Sequence, residues 1–128
     1  ARDSESIRAG LQRDSCTVSE DLATVVFHEE SLKRRFYSDC SDGDIEWAKP
    51  MLVPQPTGPL IDQVQTTAQN FGRVSKVYIE CEIDGALPLD YQRELQANGP
   101  CDRIITMGTG HSPFLSAPVE LVAHLVSI

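Results

Sequence analysis

Gly108-Thr-Gly-His111-Ser-Pro sets a histidine in a tight, glycine-rich loop between a strand-like run and a helix-like one. An imidazole held above the carboxyl end of a parallel strand can reach a nucleophile carried by a neighbouring strand, which is where a general base is needed. Asp84 follows the earlier strand-like run Val74-Ser-Lys-Val-Tyr-Ile-Glu-Cys81 and is the carboxylate best placed to orient that imidazole. Of its rivals, Glu82 reads as the strand's end, Asp90 as a first-turn helix charge, and Asp102 as a residue at the opposite end of the sheet. The nucleophile is what the motifs lack. No Gly-x-Ser-x-Gly elbow occurs in the 128 residues, and Ser112 neither has the second glycine nor can easily turn its hydroxyl to the adjacent ring. A base and its orienting acid are therefore legible, without a third partner.

The elements that must carry this pair come in the order strand, helix, strand, helix. Val77, Tyr78 and Ile79 are contiguous, as in a strand covered on both faces. Leu87 to Ala97 carries a helical pattern, with Pro88 suited to a first turn and Asn98-Gly99-Pro100 stopping it. Arg103-Ile-Ile-Thr-Met107 is a second strand, and Ser116 is a candidate N-cap for a helix over Val119 to Val126, whose Val122 and Val126 share a face. That alternation predicts parallel neighbours. Two parallel strands do not make a stable sheet alone, so residues 73–128 read as the closing part of a larger one.

Residues 1–72 read instead as a helical, loop-rich lid with no strand pattern of its own. Ile7 and Leu11 share a face, as do Leu32 and Phe36 within Glu29 to Ser38. Ser41 and Asp44 form a capping-box-like pair, after which Ile45, Ala48 and Leu52 would point one way. Four prolines between Pro50 and Pro59 end that helix and force an extended crossing. His28 reads as a helix-start residue and His124 as a helix-face residue.

Composition narrows the function classes. A hydrophobic content of 41% supports a folded core, and a net charge of -8 disfavours binding to phosphate backbones. The Lys33-Arg34-Arg35 triplet reads as a solvated helix face. No run approaches the roughly 18 apolar residues of a membrane span, and the polar first residues do not resemble a signal peptide. Cys16, Cys40, Cys81 and Cys101 include no Cys-x-x-Cys pair, so no zinc site or redox dithiol is predicted, although sequence alone leaves disulfide pairing open. Cys81 and Cys101 read as small buried hydrophobes, and reduced thiols fit a cytoplasmic protein.

In Lys76-Val-Tyr-Ile-Glu-Cys-Glu-Ile-Asp84-Gly-Ala-Leu-Pro-Leu-Asp-Tyr-Gln and in Gly108-Thr-Gly-His111-Ser-Pro-Phe-Leu-Ser, the chain resembles the carboxy-terminal part of an α/β-hydrolase, and more narrowly the hydroxynitrile lyase and methylesterase branch. Phe36-Tyr-Ser-Asp-Cys, Asp44-Ile-Glu-Trp-Ala-Lys and Leu52-Val-Pro-Gln-Pro follow in the order of that branch's cap. The resemblance implies an α/β-hydrolase fold, with residues 1–72 as a helical cap and 73–128 as the last parallel strands and helices of the core sheet. It implies His111 as general base and acid, Asp84 as its orienting partner, no cofactor or metal, and a nucleophilic serine on a polypeptide or segment upstream of Ala1. Trp47, Met51, Leu52 and Phe114 would line an apolar substrate pocket under the cap, or simply pack it.

The expected activity is hydrolysis of a small carboxylic ester. The lyases resembled have a lysine directly after the catalytic histidine, whereas this chain has neutral Ser112, which disfavours cyanohydrin cleavage. A non-catalytic, hydrolase-shaped binding module is the third alternative. The chain alone is expected to be inactive, its partners being the ester and the serine-bearing segment, with a homodimer left open.

Overall fold

The computed structural model describes residues 16–128, so the Ile7 and Leu11 pairing lies outside it. Its first elements correct the expectation of a strand-free first half. Cys16-Thr-Val18 alternates buried, exposed, buried, and pairs as β1 (Cys16–Val18) antiparallel to β2 (Thr24–Phe27). The hairpin closes on Ser19, whose amide donates to Thr24 O and whose Oγ accepts from Thr24 N, while Leu22 takes a positive φ of 61°.

The chain then enters α1 (Glu29–Ser31), which runs directly into a π-helical turn over Leu32–Phe36, and α2 (Asp42–Ala48), which ends in a 3-10 turn at Lys49–Met51. Ser41 caps α2 as expected: its Oγ accepts from Asp44 N at 3.1 Å and donates to the Asp44 carboxylate. The proline-rich crossing is extended, and its Gln55–Pro56 forms β3, the edge strand against β2. Pro56 is tolerated there because an edge residue needs no outward donor. These strands of three, four and two residues are too short for a period of two to emerge from sequence, and β3 pairs with β2 only through chain return. Leu52 corrects a second expectation: it lies past the helix in extended backbone and is half exposed, while Ile45 and Ala48 are buried.

A short α3 (Gly58–Ile61) and a 3-10 turn at Phe71–Arg73 lead to the parallel pair. Here the alternation of elements appears as predicted: β4 (Val77–Cys81), α4 (Leu89–Asn98), β5 (Arg103–Met107), α5 (Pro113–Ser116) and α6 (Pro118–Leu125). β4 and β5 are parallel, with Cys81 opposite Met107. Ser116 is not the expected N-cap. It ends α5, and Pro118 opens α6 because its fixed φ suits a first helical position and disfavours α-helical backbone at Ala117. The face of Val122 and Val126 is exposed, and Cys101 is only partly buried, unlike Cys81.

One apolar cluster joins the two halves. Tyr37, Ile45 and Ala48 are buried together, packed by Leu32, Phe36, Cys40 and Leu115, the last arriving from α5. Glu80, on β4, is the buried charge of the sheet. Arg93 donates to it through both Nη2 and Nε, and Gln96 and Thr106 add one hydrogen bond each. These donors, Arg93 foremost, hold its carboxyl down at about 2, against an ordinary 4.5. A depressed folded-state value means that Glu80 stabilises the fold fully above its unfolded pKa, and that this contribution fades as pH falls from about 4.5 towards about 2. Glu80→Gln is therefore expected to flatten the fall in urea midpoint between about pH 5 and about pH 3. Equal slopes in parent and variant would refute the assignment.

Candidate active site

The parallel ladder continues past both strands and delivers the two loops to one place. Glu82 N donates to Met107 O, and Ile83 N donates to Thr109 O. Asp84 and His111 thus emerge side by side above the carboxyl end of the sheet. Asp84 Oδ1 accepts from Ala86 N at 2.7 Å and Leu87 N at 2.8 Å, which turns the chain and fixes the carboxylate. His111 Nδ1 lies 2.9 Å from Asp84 Oδ2 and 3.0 Å from Oδ1. A carboxylate that already accepts two amides leaves Nδ1 as the donor, so the lone pair of the neutral ring resides on Nε2. Nε2 makes no hydrogen bond among the described residues, and the His111 side chain is 30% exposed while that of Asp84 is 6% exposed.

Gln92 supports the Asp84 loop from beneath. Its buried amide accepts from Cys81 N and donates to Cys81 O and Leu87 O, tying α4 to the last residue of β4 and to the turn. Gly85 and Gly110 each pack against the Arg34–Asp39 segment. A Cβ at Gly85 would lie 2.5 Å from Arg34 O, and one at Gly110 would lie 2.5 Å from Asp39 Oδ1. Phe36 completes the contact, its ring 5.1 Å from the His111 imidazole at 73°.

The rival carboxylates stay away from the imidazole. Asp102 sits at the amino end of the strands, where it accepts from Lys76 N and Ser75 Oγ and is pulled below its ordinary pKa by those bonds. Asp90 accepts from Tyr91 N in the first turn of α4, and Glu82 is exposed. Ser112 is buried at 2% exposure beneath the loop. His28 starts α1 as expected and also meets Thr17 Oγ1 at 2.9 Å, a partner not foreseen; His124 lies on α6, 3.7 Å from Glu120. Among the described residues no cluster of His, Cys, Asp and Glu could hold a metal ion, and no helix is long and apolar enough to cross a membrane.

The four expected pocket residues are not brought together. Trp47, Met51 and Phe114 are each more than half exposed, and only Leu52 lines an apolar groove, with Val25, Phe27, Leu32 and Pro54. Sequence reading missed Asp39 and Gln92. Asp39 lies inside the Phe36-Tyr-Ser-Asp-Cys run, and for Gln92 the available signal was its helical spacing, three residues from both Leu89 and Leu95.

No family model matches the chain. It is 30% identical over 109 residues to methyl jasmonate esterase 1 of Vitis vinifera, covering 82% of this chain and 42% of that protein. Its relatives are plant methylesterases, a branch of the α/β-hydrolases. The fold superposes on polyneuridine aldehyde esterase with a TM-score of 0.76 at 19% identity, covering 96% of this chain and 53% of that one. Tomato methylketone synthase I gives a TM-score of 0.78 at 20% identity over 96% of this chain and 51% of its own. The α/β-hydrolase fold expected from the sequence is thus present in partial form, and the chain spans about two fifths of methyl jasmonate esterase 1.

Proposed function

We propose that this chain supplies the general base and its orienting carboxylate to a serine esterase acting on small carboxylic esters. The observation that carries this reading is the Nδ1 contact of His111 with Asp84 alongside an unengaged Nε2. In the proposed reaction, a serine outside this chain attacks the ester carbonyl as Nε2 takes its proton. The resulting imidazolium is stabilised by Asp84 and then protonates the departing alcohol. Water, activated by the same nitrogen, releases the acid. Residues 1–72 serve as the cap over this centre. A parallel sheet of two strands with Ile104 49% exposed suits membership of a larger sheet that carries the nucleophile. The chain alone is accordingly inactive.

Methyl esters of carboxylic acids are the first substrates to offer, since methyl jasmonate esterase 1 is a relative by name. The serine-bearing protein is expected to release methanol from such an ester and to be blocked by a fluorophosphonate that labels one serine. Absence of ester turnover together with absence of labelling would overturn the reading, and cyanide release from mandelonitrile without ester turnover would replace it with lyase chemistry.

A further inference from the structure

We propose that Asp39 is a positioning residue for His111, a role that rests on the esterase reading. Asp39 Oδ2 accepts from Gly110 N at 2.6 Å, a charge-assisted bond across 71 residues of sequence to the residue directly before the base. Gly110 is buried, and its lack of a side chain is what admits the carboxylate: a Cβ there would lie 2.5 Å from Asp39 Oδ1 and 2.9 Å from Ser38 Oγ.

The second oxygen of this carboxylate, Oδ1, is buried without a hydrogen bond. Burying that oxygen without a partner opposes folding, so the Gly110 bond is held at a cost in stability. The same segment touches the pair at two further points, through Phe36 against the imidazole ring and Arg34 O against Gly85 beside Asp84. Of these three contacts only Asp39 forms a directional polar tie. It holds the His111 backbone at the angle that keeps Nδ1 on Asp84 and Nε2 pointing out. A displacement of about 1 Å at a reacting group costs on the order of 10²-fold in rate, so the effect falls on kcat and leaves KM alone.

The test uses the serine-bearing protein with a methyl ester, and reads kcat, KM and hydrogen exchange at the Gly110 amide. Asp39→Ala is expected to lower kcat by about 10²-fold with KM little changed, and to speed Gly110 exchange. Asp39→Asn, whose amide oxygen can still accept from Gly110, is expected to recover most of the parent's kcat and its slow exchange. An active parent whose Asp39→Ala variant keeps its kcat overturns the positioning role alone. So does fast Gly110 exchange in the parent, a result that does not depend on any variant folding. A parent without ester turnover overturns the esterase reading and the role with it.

Discussion

Replacing His111 with alanine is expected to lower kcat for ester hydrolysis by about 10⁴-fold or more in the serine-bearing protein, with KM changed far less. The effect is large because the imidazole acts twice, accepting the serine proton through Nε2 and returning it to the leaving alcohol, and no neighbouring group can replace it. Glu82 is exposed, Asp90 is engaged at the start of α4 and Asp102 lies at the far end of the strands. The fold should survive the change. Asp84 keeps its bonds from Ala86 N and Leu87 N, and Gly110 keeps its bond to Asp39, so both loops retain their anchors. Steady-state kinetics alongside a thermal melt would separate these effects. Turnover within tenfold of the parent would remove His111 from the chemistry.

Asp84→Asn is expected to cost about as much, on the order of 10⁴-fold in kcat, for a different reason. The two turn amides require an acceptor at the Oδ1 position, so the asparagine oxygen must stay there. Its NH₂ then occupies the Oδ2 position, 2.9 Å from Nδ1, and donates to the ring. Nδ1 becomes the acceptor, the ring proton moves to Nε2, and the lone pair needed to take the serine proton is lost. Imidazole ¹⁵N shifts should report this change of tautomer directly. A variant with unchanged ¹⁵N shifts and unchanged kcat would show that Asp84 does not set the state of His111.

Much of the second half was legible because its signals are local. β4 is apolar and β-rich, β5 runs over Arg103–Met107 as the residues suggest, and Asn98 ends α4 just before Gly99 and Pro100. The Ser41 cap was equally local, a hydroxyl and a carboxylate three residues apart. The antiparallel sheet was not, because two to four residues cannot display a period and its pairing spans distant segments. The surroundings of the four apolar residues Trp47, Met51, Leu52 and Phe114 were not legible for a related reason. Apolar side chains announce that they seek burial, not which neighbours they will find, and Trp47 and Phe114 remain exposed in this chain.

By itself the sequence determined the chemical types at the centre: a glycine-flanked histidine, a carboxylate in the loop after a strand, and no serine elbow. Only the tertiary structure decided which groups meet. The parallel register sets Cys81 opposite Met107 and carries both loops out of the same end of the sheet, and the turn amides of Ala86 and Leu87 aim Asp84 rather than Glu82 at the ring. Asp39 reaches Gly110 in the same way, through a contact between segments 71 residues apart. Spacing along a chain fixes local hydrogen bonding, whereas contacts across it depend on how separate elements pack, and it is packing that turned these residues into one site.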